Sequence, residues 1–192
     1  MPDQKGEPAG KQTKNQITLN PITRFFNHSQ AALQRHVKLY VKENQTVADL
    51  GCGHGFYTLP LAAVVGPNGK VYAVDINENS IGELKEKVSK YGYQNIEAHT
   101  SSATELGFIK SGTIDFVLAN GLLCEMPSGR QSAVSEIKRI LKAGGQAYLS
   151  LGWPPPLGHV DKAEWQSILD EFEVLRKGGS SVQSWVLVAL KK

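Results

Sequence analysis

A glycine-rich segment constrains the fold of this chain more than any other part of its sequence. Residues 47–55 read Val-Ala-Asp-Leu-Gly-Cys-Gly-His-Gly, so glycines occupy three alternate positions directly after a short apolar run. Glycine adopts backbone conformations that other residues avoid, and it lets a ligand approach the backbone more closely than a β-carbon permits. The segment therefore predicts a strand, a tight turn and a following helix whose N-terminal N–H groups point towards a ligand.

The spacing of these glycines separates the segment from the pyrophosphate-binding pattern Gly-x-Gly-x-x-Gly. The third glycine, Gly55, comes one residue early, and an acid, Asp49, lies inside the predicted strand. A carboxylate beside the glycines repels a phosphate and attracts a cationic amine. We therefore expect a nucleoside ligand that carries an amine rather than a pyrophosphate.

Further segments follow at intervals that match a repeating strand and helix pattern. The apolar run 71–75 ends in Asp75, 20 positions after Gly55. A carboxylate at that position can accept hydrogen bonds from both hydroxyls of a ribose laid across the strand ends. Residues 114–120 form another apolar run, and residues 141–145 read Leu-Lys-Ala-Gly-Gly. Four segments in this order argue against a chance match to this strand and helix pattern.

These four segments resemble the motifs of the class I S-adenosylmethionine (SAM) dependent methyltransferases. Residues 49–55 match that family's acid-x-Gly-x-Gly-x-Gly pattern throughout, and residues 141–145 resemble its Leu-Lys-Pro-Gly-Gly turn before the fifth strand. The resemblance extends over approximately residues 25–192. It implies a SAM-dependent methyltransferase that uses S-adenosyl-L-methionine as cofactor and releases S-adenosyl-L-homocysteine.

The resemblance also implies the fold. We expect an α/β, Rossmann-like architecture with a seven-stranded, mostly parallel sheet of order 3-2-1-4-5-7-6, the last strand antiparallel, and helices on both faces. The alternation of β-branched runs with amphipathic stretches favours the same architecture.

Glycines and capping residues predict where several helices end and begin. A buried helical face over residues 81–91, including Tyr91, is expected to end at Gly92. A later helix is expected to end at the glycine pair 144–145, and another to begin at the capping residue Asp161.

The C-terminal part departs from simple alternation of strands and helices. Helical spacing continues to Phe172, and extended runs follow at residues 173–176 and 182–190. Only residues 177–181 join these runs, which permits a hairpin and not a parallel crossover. The predicted sheet therefore ends in an antiparallel pair.

The composition favours one domain. Apolar residues make up 41% and charged residues 20% of the 192 positions, which suits one well-buried core and is short for two. Residues 1–20 have little apolar content, so we expect a disordered tail there. Residues 21–192 are expected to form a single SAM-binding methyltransferase domain, with an N-terminal helix that begins near Asn27.

Charge and hydropathy limit the partners of this chain. The net charge of +3 is spread without a basic stripe, which makes nucleic acid an unfavourable partner. No apolar stretch approaches the roughly 20 residues that span a bilayer, and the polar start lacks the apolar segment of a secretory signal. We expect a cytoplasmic protein without a membrane partner, either a monomer or a homodimer.

The two cysteines, Cys52 and Cys124, have 71 residues between them. This spacing matches no zinc site and no small disulfide framework, so no metal site is predicted. Both cysteines follow strands that lie side by side in the expected sheet, which allows their thiols to approach at the rim of the site. The favoured interpretation is that both cysteines are small buried residues.

The resemblance assigns roles around the expected cofactor. The glycine loop faces the methionine portion and the ribose, Asp49 orients the amino group, Asp75 binds the ribose diol and Ile76 packs on the adenine. From the residues alone, a capping role for Asp49 and turn roles for Asp75 and Asn120 are the alternatives. The expected cofactor-binding residues are Asp49, Gly51, Cys52, Gly53, Gly55, Asp75, Ile76, Ser102, Ala103 and Asn120.

Two positions depart from the family pattern. Ser102 stands where many relatives carry Asp, and its hydroxyl binds adenine more weakly than a carboxylate that accepts from the exocyclic amine. Cys124 stands where some relatives carry a His, which leaves the acid or base unassigned. The candidates near the transferred methyl group are His28, His54, Tyr57, Cys124, Trp153 and His159, each with a surface or packing role as its alternative.

A small molecule is the expected methyl acceptor, because little of the chain remains beyond the cofactor fold. A protein or RNA methyltransferase is the alternative enzyme. A non-catalytic SAM-binding regulatory subunit is the alternative outside enzymology, because the glycine loop and Asp75 predict cofactor binding alone. Thiol, arsenite or metalloid acceptors are a further alternative suggested by Cys52 and Cys124.

Overall fold

The computed structural model describes residues 35, 37–126, 128–151, 160–180 and 183–191. They belong to one compact unit, Gln34–Lys192. The expected tail, most of the predicted N-terminal helix, and the candidates His28, Trp153 and His159 lie outside the described residues. The strands and helices are β1 (Thr46–Leu50), α1 (Thr58–Val65), β2 (Lys70–Asp75), α2 (Glu78–Tyr91), β3 (Ile96–Thr100), β4 (Ile114–Asn120), α3 (Arg130–Ile140), β5 (Leu141–Ser150), α4 (Lys162–Leu169), β6 (Phe172–Ser180) and β7 (Gln183–Leu190).

The strands of the described residues form one seven-stranded sheet of order β3-β2-β1-β4-β5-β7-β6. β1 pairs in parallel with β2 and β4, β2 with β3, and β4 with β5, whereas β7 is antiparallel to both β5 and β6. The predicted order and the antiparallel last strand are confirmed. The winding of the sheet reverses between β1 and β4, and open α/β sheets bind ligands outside the carboxyl ends of their strands at such a point.

Helices cover both faces of the sheet, as expected. Neighbouring residues of a strand point to opposite faces, so each face has its own apolar layer. On one face, Ile137 of α3 and Ile168 of α4 lie in a single buried cluster with Val117. On the other face, Leu84 of α2 packs with Ala73 of β2. The two layers fix the strand ends from which the loops of the site emerge.

Capping residues fix both ends of α2 and the start of α4. Asn77 accepts a hydrogen bond from the N–H of Ser80 at 3.1 Å, and Gly92 ends α2 in the left-handed conformation with φ 72°. Asp161 accepts the N–H of Glu164 at 2.8 Å. The predictions at Gly92 and Asp161 are confirmed.

The predicted end of α3 is wrong. α3 ends at Ile140, because Leu141 leaves the helix with φ −64° and ψ 136° and pairs with Ile114 of β4. The glycine pair 144–145 therefore lies within β5. Gly145 suits this position because an added Cβ would stand 2.9 Å from the carbonyl oxygen of Ile114. Close approach of two strands, and not helix termination, explains the glycine.

Two residues that helical spacing placed on buried helix faces lie elsewhere. Tyr91 is 60% exposed, and its ring lies 5.6 Å from the ammonium of Lys90. Phe172 begins β6, where it pairs with Leu190 and is 2% exposed. Both corrections concern the last position of a periodic run, where spacing alone does not indicate which element or surface the residue joins.

The C-terminal hairpin is confirmed, but its strands are longer than expected. β6 continues to Ser180, so most of the expected link belongs to a strand. Gly178 explains the difference, because an added Cβ would stand 2.6 Å from a ring atom of Trp185. This glycine makes room for an indole ring on the neighbouring strand.

Gly55 is the point where the glycine loop packs against α2. Its φ of +91° lies in the left-handed region, and an added Cβ would stand 2.5 Å from Cδ1 of Leu84. Leu84 is fully buried, so its methyl group has little room to move. Gly53 is also left-handed, with φ +52°, but an added Cβ there meets nothing within 4 Å.

We expect Gly55→Ala to lower the free energy of unfolding by about 2–4 kcal/mol, because backbone strain and overpacking act together. The matched control Gly53→Ala carries the strain alone and is expected to lower it by about 1–2 kcal/mol. Urea denaturation followed by circular dichroism measures both losses. Equal losses in the two variants would contradict the packing role of Gly55.

Candidate functional site

The carboxylate of Asp75 joins two loops at the end of β2. Its Oδ2 accepts the backbone N–H of Gly53 and its Oδ1 accepts the backbone N–H of Asn77, each at 2.8 Å. The side chain is half-buried and lines a cleft. Each oxygen keeps a second lone pair, so the carboxylate is fixed in place and can still accept hydrogen bonds from a ligand.

The glycine loop turns back on the sheet through main-chain hydrogen bonds. The N–H groups of Gly51 and Cys52 both donate to the carbonyl of Val74, at 2.8 and 3.1 Å. The ammonium of Lys87, on α2, donates to the carbonyl of His54 at 2.9 Å. The loop is therefore held from β2 on one side and from α2 on the other.

A cleft of about 430 Å³ lies beyond the carboxyl ends of β2, β3 and β4. This volume falls within the range of small-molecule sites. The cleft brings together five of the predicted cofactor-binding residues: Gly51, Asp75, Ile76, Ser102 and Ala103. Its other lining residues are Val74, Ser101, Thr104, Leu122, Glu125, Met126, Ser128 and Gly129.

Apolar side chains form much of the cleft. Ile76 is 77% exposed directly beside Asp75, so a ligand that covers it removes apolar surface from water. Ala103, Leu122 and Met126 line the same space. A flat apolar ring fits these surroundings, with a pair of hydroxyls beside Asp75, and this is the chemistry of an adenosine.

Asp49 lies beneath the loop and does not belong to the lining of this cleft. Its Oδ2 accepts the hydroxyl of Thr58 at 2.6 Å, and the two residues are 2% and 0% exposed. Thr58 begins α1, so this hydrogen bond links β1 to the start of that helix. Burial raises the pKa of Asp49 to about 7, while hydrogen bonds from Thr58 oppose the shift and the nearby charge of Asp75 adds to it.

Asn120 ends β4 beside the last residue of β5. The hydroxyl of Ser150 donates to Oδ1 of Asn120 at 2.6 Å and accepts the N–H of Gly121 at 3.2 Å. These bonds support the turn that leaves β4. Cofactor contacts of Asn120, like those of Cys52, Gly53 and Gly55, stay a prediction.

Both cysteines are buried and free of disulfides, with Cys52 at 5% and Cys124 at 2% exposure. Cys52 packs with Ala73 and Leu84, whereas the thiol of Cys124 donates to the carbonyl of Leu151 at 3.0 Å. Burial raises the pKa of Cys52 far above its usual range and that of Cys124 to about 11. A protonated thiol at neutral pH disfavours Cys124 as a base.

His54 lies within the glycine motif, and Tyr57 lies between that motif and α1. His54 is exposed, which agrees with the alternative of a loop histidine at the surface. Tyr57 is half-buried, and its ring meets that of Phe56 edge to face at 4.9 Å. Burial raises the pKa of the Tyr57 phenol above its usual range, so it is protonated at neutral pH. A role for either side chain at the acceptor stays a prediction.

Sequence reasoning missed an ion pair that holds the loop after β3. The guanidinium of Arg139 donates to the carbonyls of Leu106 and Ile109 at 2.8 and 2.9 Å. Glu136 accepts the N–H of Leu106 at 2.8 Å and pairs with Arg139 at 2.6 Å. Because residues 101–104 of the same loop line the cleft, this pair supports one of its walls.

Arg130 supports the wall that follows β4, and sequence reasoning missed it as well. Its guanidinium donates to the carbonyl of Leu123 at 2.6 Å and to both carboxylate oxygens of Glu164 at 2.9 and 2.8 Å. Leu123 belongs to the short 3-10 turn Leu122–Cys124, directly before the lining residue Glu125. In the sequence, the only sign of this role is the positive charge of Arg130 at the start of a helix.

In the part of the chain that the structure describes, no group of three or more His, Cys, Asp or Glu side chains is placed to hold a metal ion. None of the helices in the described ranges is long and apolar enough to cross a membrane.

Comparison with known proteins identifies the family. A family profile described as a methyltransferase domain matches residues 47–145, just over half of the chain. The matched stretch contains the glycine loop, Asp75 and most of the cleft. With the strand order, this match shows that the chain belongs to the class I SAM-dependent methyltransferase family, as its motifs predicted.

Individual relatives agree with this assignment. The chain is 31% identical over 128 residues to a demethylmenaquinone methyltransferase of Bacillus cytotoxicus, covering 67% of this chain and 53% of that protein. It is 29% identical over 133 residues to a protein of the same name from Bacillus subtilis, covering 69% and 56%. The chain thus spans about half the length of the curated relatives it matches.

A solved structure supports the same fold. A SAM-dependent methyltransferase from Aquifex aeolicus superimposes with a TM-score of 0.73 at 26% identity, over 91% of this chain and 100% of that chain.

The buried carboxyl of Asp49 predicts a pH-dependent stability. Its pKa is 3.8 in an unperturbed state and about 7 in the fold, so the folded protein holds this proton more firmly than the unfolded chain. The contribution of Asp49 to stability therefore falls as the pH rises from 4 towards 7. Asp49→Asn lacks this effect, and its stability relative to wild type is expected to rise by up to about 4 kcal/mol between pH 4 and pH 8.

Urea denaturation of the two proteins across this pH range measures the difference, and groups common to both cancel. A difference that does not change with pH would contradict the raised pKa of Asp49.

Proposed function

We propose that this chain is an enzyme that transfers the methyl group of SAM to a nucleophilic atom of a small-molecule acceptor. The cleft between Asp75 and the loop after β3 is the observation that carries this proposal. A ribose diol suits the remaining lone pairs of Asp75, and an adenine ring suits the apolar surroundings of Ile76 and Leu122. Membership of the family supports the same cofactor.

Other cofactor contacts are proposed on the same basis. The backbone of residues 51–55 faces the methionine portion, Ser102 and Ala103 lie beside the adenine, and Asn120 contacts the methionine moiety. Asp49 helps to orient the amino group from beneath the loop, where its carboxyl is held by Thr58. A cationic amine nearby favours the ionised form of that carboxyl.

When SAM is bound, its sulfonium supplies an electrophilic methyl group. The protein then has to hold the acceptor in line with the carbon–sulfur bond and to exclude water. Positioning of this kind is worth roughly 7–11 kcal/mol, whereas a general base is worth roughly 3–5 kcal/mol. The protonated thiol of Cys124, at the position where some relatives carry a histidine, is therefore compatible with activity.

A small molecule with an aromatic ring is the first acceptor to test. The Bacillus relatives are named as demethylmenaquinone methyltransferases, which favours a ring acceptor. The rings of Tyr148 and Trp185 stack 5.5 Å apart, and Trp185 pairs with Ser150 at the carboxyl end of β5. Tyr148 is fully buried and supports the half-buried Trp185, whose indole ring provides apolar surface at that end of the sheet. A cytoplasmic location and a monomeric or homodimeric state stay predictions.

Calorimetric titration with SAM and S-adenosylhomocysteine tests the cofactor site. Wild type is expected to bind both with micromolar Kd, and Asp75→Ala to bind at least about 100-fold more weakly, because two charge-assisted hydrogen bonds are lost. Glu83→Ala, which removes an exposed carboxylate of α2 outside the cleft, is the control and keeps the wild-type affinity. No binding by folded wild-type protein would overturn the proposed enzyme.

Transfer of a labelled methyl group tests the reaction. Wild type is expected to methylate a member of a panel of quinols, phenols and thiols, headed by a reduced demethylmenaquinone analogue, and Asp75→Ala is expected to lose this activity. Label found only in added protein or RNA would replace the small-molecule acceptor by a macromolecular one. Binding of SAM without transfer to any acceptor would favour the regulatory subunit.

A further inference from the structure

The cleft contains two carboxylates with different surroundings. Asp75 is held by two backbone N–H groups, one to each oxygen. Glu125 follows the 3-10 turn after β4 and is exposed, and among the described residues its side chain has no hydrogen bond or ion pair. The fold therefore presents one fixed carboxylate and one that is free to bind.

The two carboxylates lie at different parts of the cleft. Asp75 ends β2 beside the glycine loop. Glu125 precedes a segment that packs near the loop after β3, since an added Cβ on Gly129 would stand 3.2 Å from the side chain of Thr104. The same cleft is lined by the apolar side chains Ile76, Ala103, Leu122 and Met126.

The hydroxyl expected to bind adenine is already engaged. Ser102 Oγ lies 2.8 Å from the hydroxyl of Thr104 and accepts the N–H of Thr104 at 3.2 Å. A hydroxyl held in this way is a weak partner for a second donor. Glu125 is then the charged acceptor of this part of the cleft that has no partner among the described residues.

We propose that Glu125 accepts a hydrogen bond from the exocyclic amine of the adenine ring and so selects a 6-amino over a 6-oxo purine nucleoside. This inference rests on the proposed function, because it assumes that the ribose lies at Asp75. A carboxylate attracts the amine hydrogens of adenine and repels the carbonyl oxygen that hypoxanthine carries at the same position. Glu125 thus accepts the hydrogen bond that the hydroxyl of Ser102 would accept only weakly.

The test compares S-adenosylhomocysteine with its inosine counterpart, in which the 6-amino group is replaced by oxygen. Calorimetry gives the ratio of the two affinities for wild type, Glu125→Gln and Glu105→Gln. Glu125→Gln changes an exposed side chain, and the amide can donate to the 6-oxo group. Glu105→Gln is the matched control, because Glu105 is an exposed acid of the neighbouring loop outside the cleft lining.

Wild type and Glu105→Gln are expected to prefer the adenine compound by about 10-fold or more, and Glu125→Gln to reduce that ratio by about 10-fold. A ratio unchanged in Glu125→Gln, with S-adenosylhomocysteine still bound by wild type, would overturn the role of Glu125 and leave the proposed function standing. Failure of folded wild type to bind S-adenosylhomocysteine would overturn both. Thermal melting of each variant confirms that the folded protein is compared.

Discussion

The site depends on the two hydrogen bonds that the carboxylate of Asp75 accepts. Two backbone N–H groups, from Gly53 in the glycine loop and from Asn77 before α2, meet its two oxygens at 2.8 Å. One side chain at the end of β2 therefore fixes the turn after β1 and the start of α2. Removing it leaves both N–H groups without this partner, at a cost of about 1–3 kcal/mol for each one that stays buried.

This arrangement prepares the site for its ligand. The orientation of the carboxylate is set by the fold, so little conformational freedom is lost when a pair of hydroxyls binds. The walls of the cleft are supported in a comparable way. Arg139 and Glu136 hold the loop after β3, and Arg130 holds the 3-10 turn after β4. Contacts outside the cleft thus position the residues that line it.

The resemblance of four sequence motifs to the methyltransferase family was sufficient to predict the sheet order. It also predicted the cofactor-binding residues Gly51, Asp75, Ile76, Ser102 and Ala103, which line one cleft. Glu125 and Met126 were missed as lining residues because a loop has no periodicity to mark its inward side. The partner of Asp49 depends on how α1 meets β1, which spacing along the chain does not encode. The predicted end of α3 was wrong because the glycine pair lies within β5, where it allows two strands to pack closely, and does not end the helix.

A crystal structure with S-adenosylhomocysteine bound tests the role of Asp75 most directly. We expect the ribose hydroxyls within hydrogen-bond distance of Asp75 and the adenine ring against Ile76, with the bonds from Gly53 and Asn77 to the carboxylate retained. A ligand bound elsewhere, or a ribose without contact to Asp75, would contradict this role.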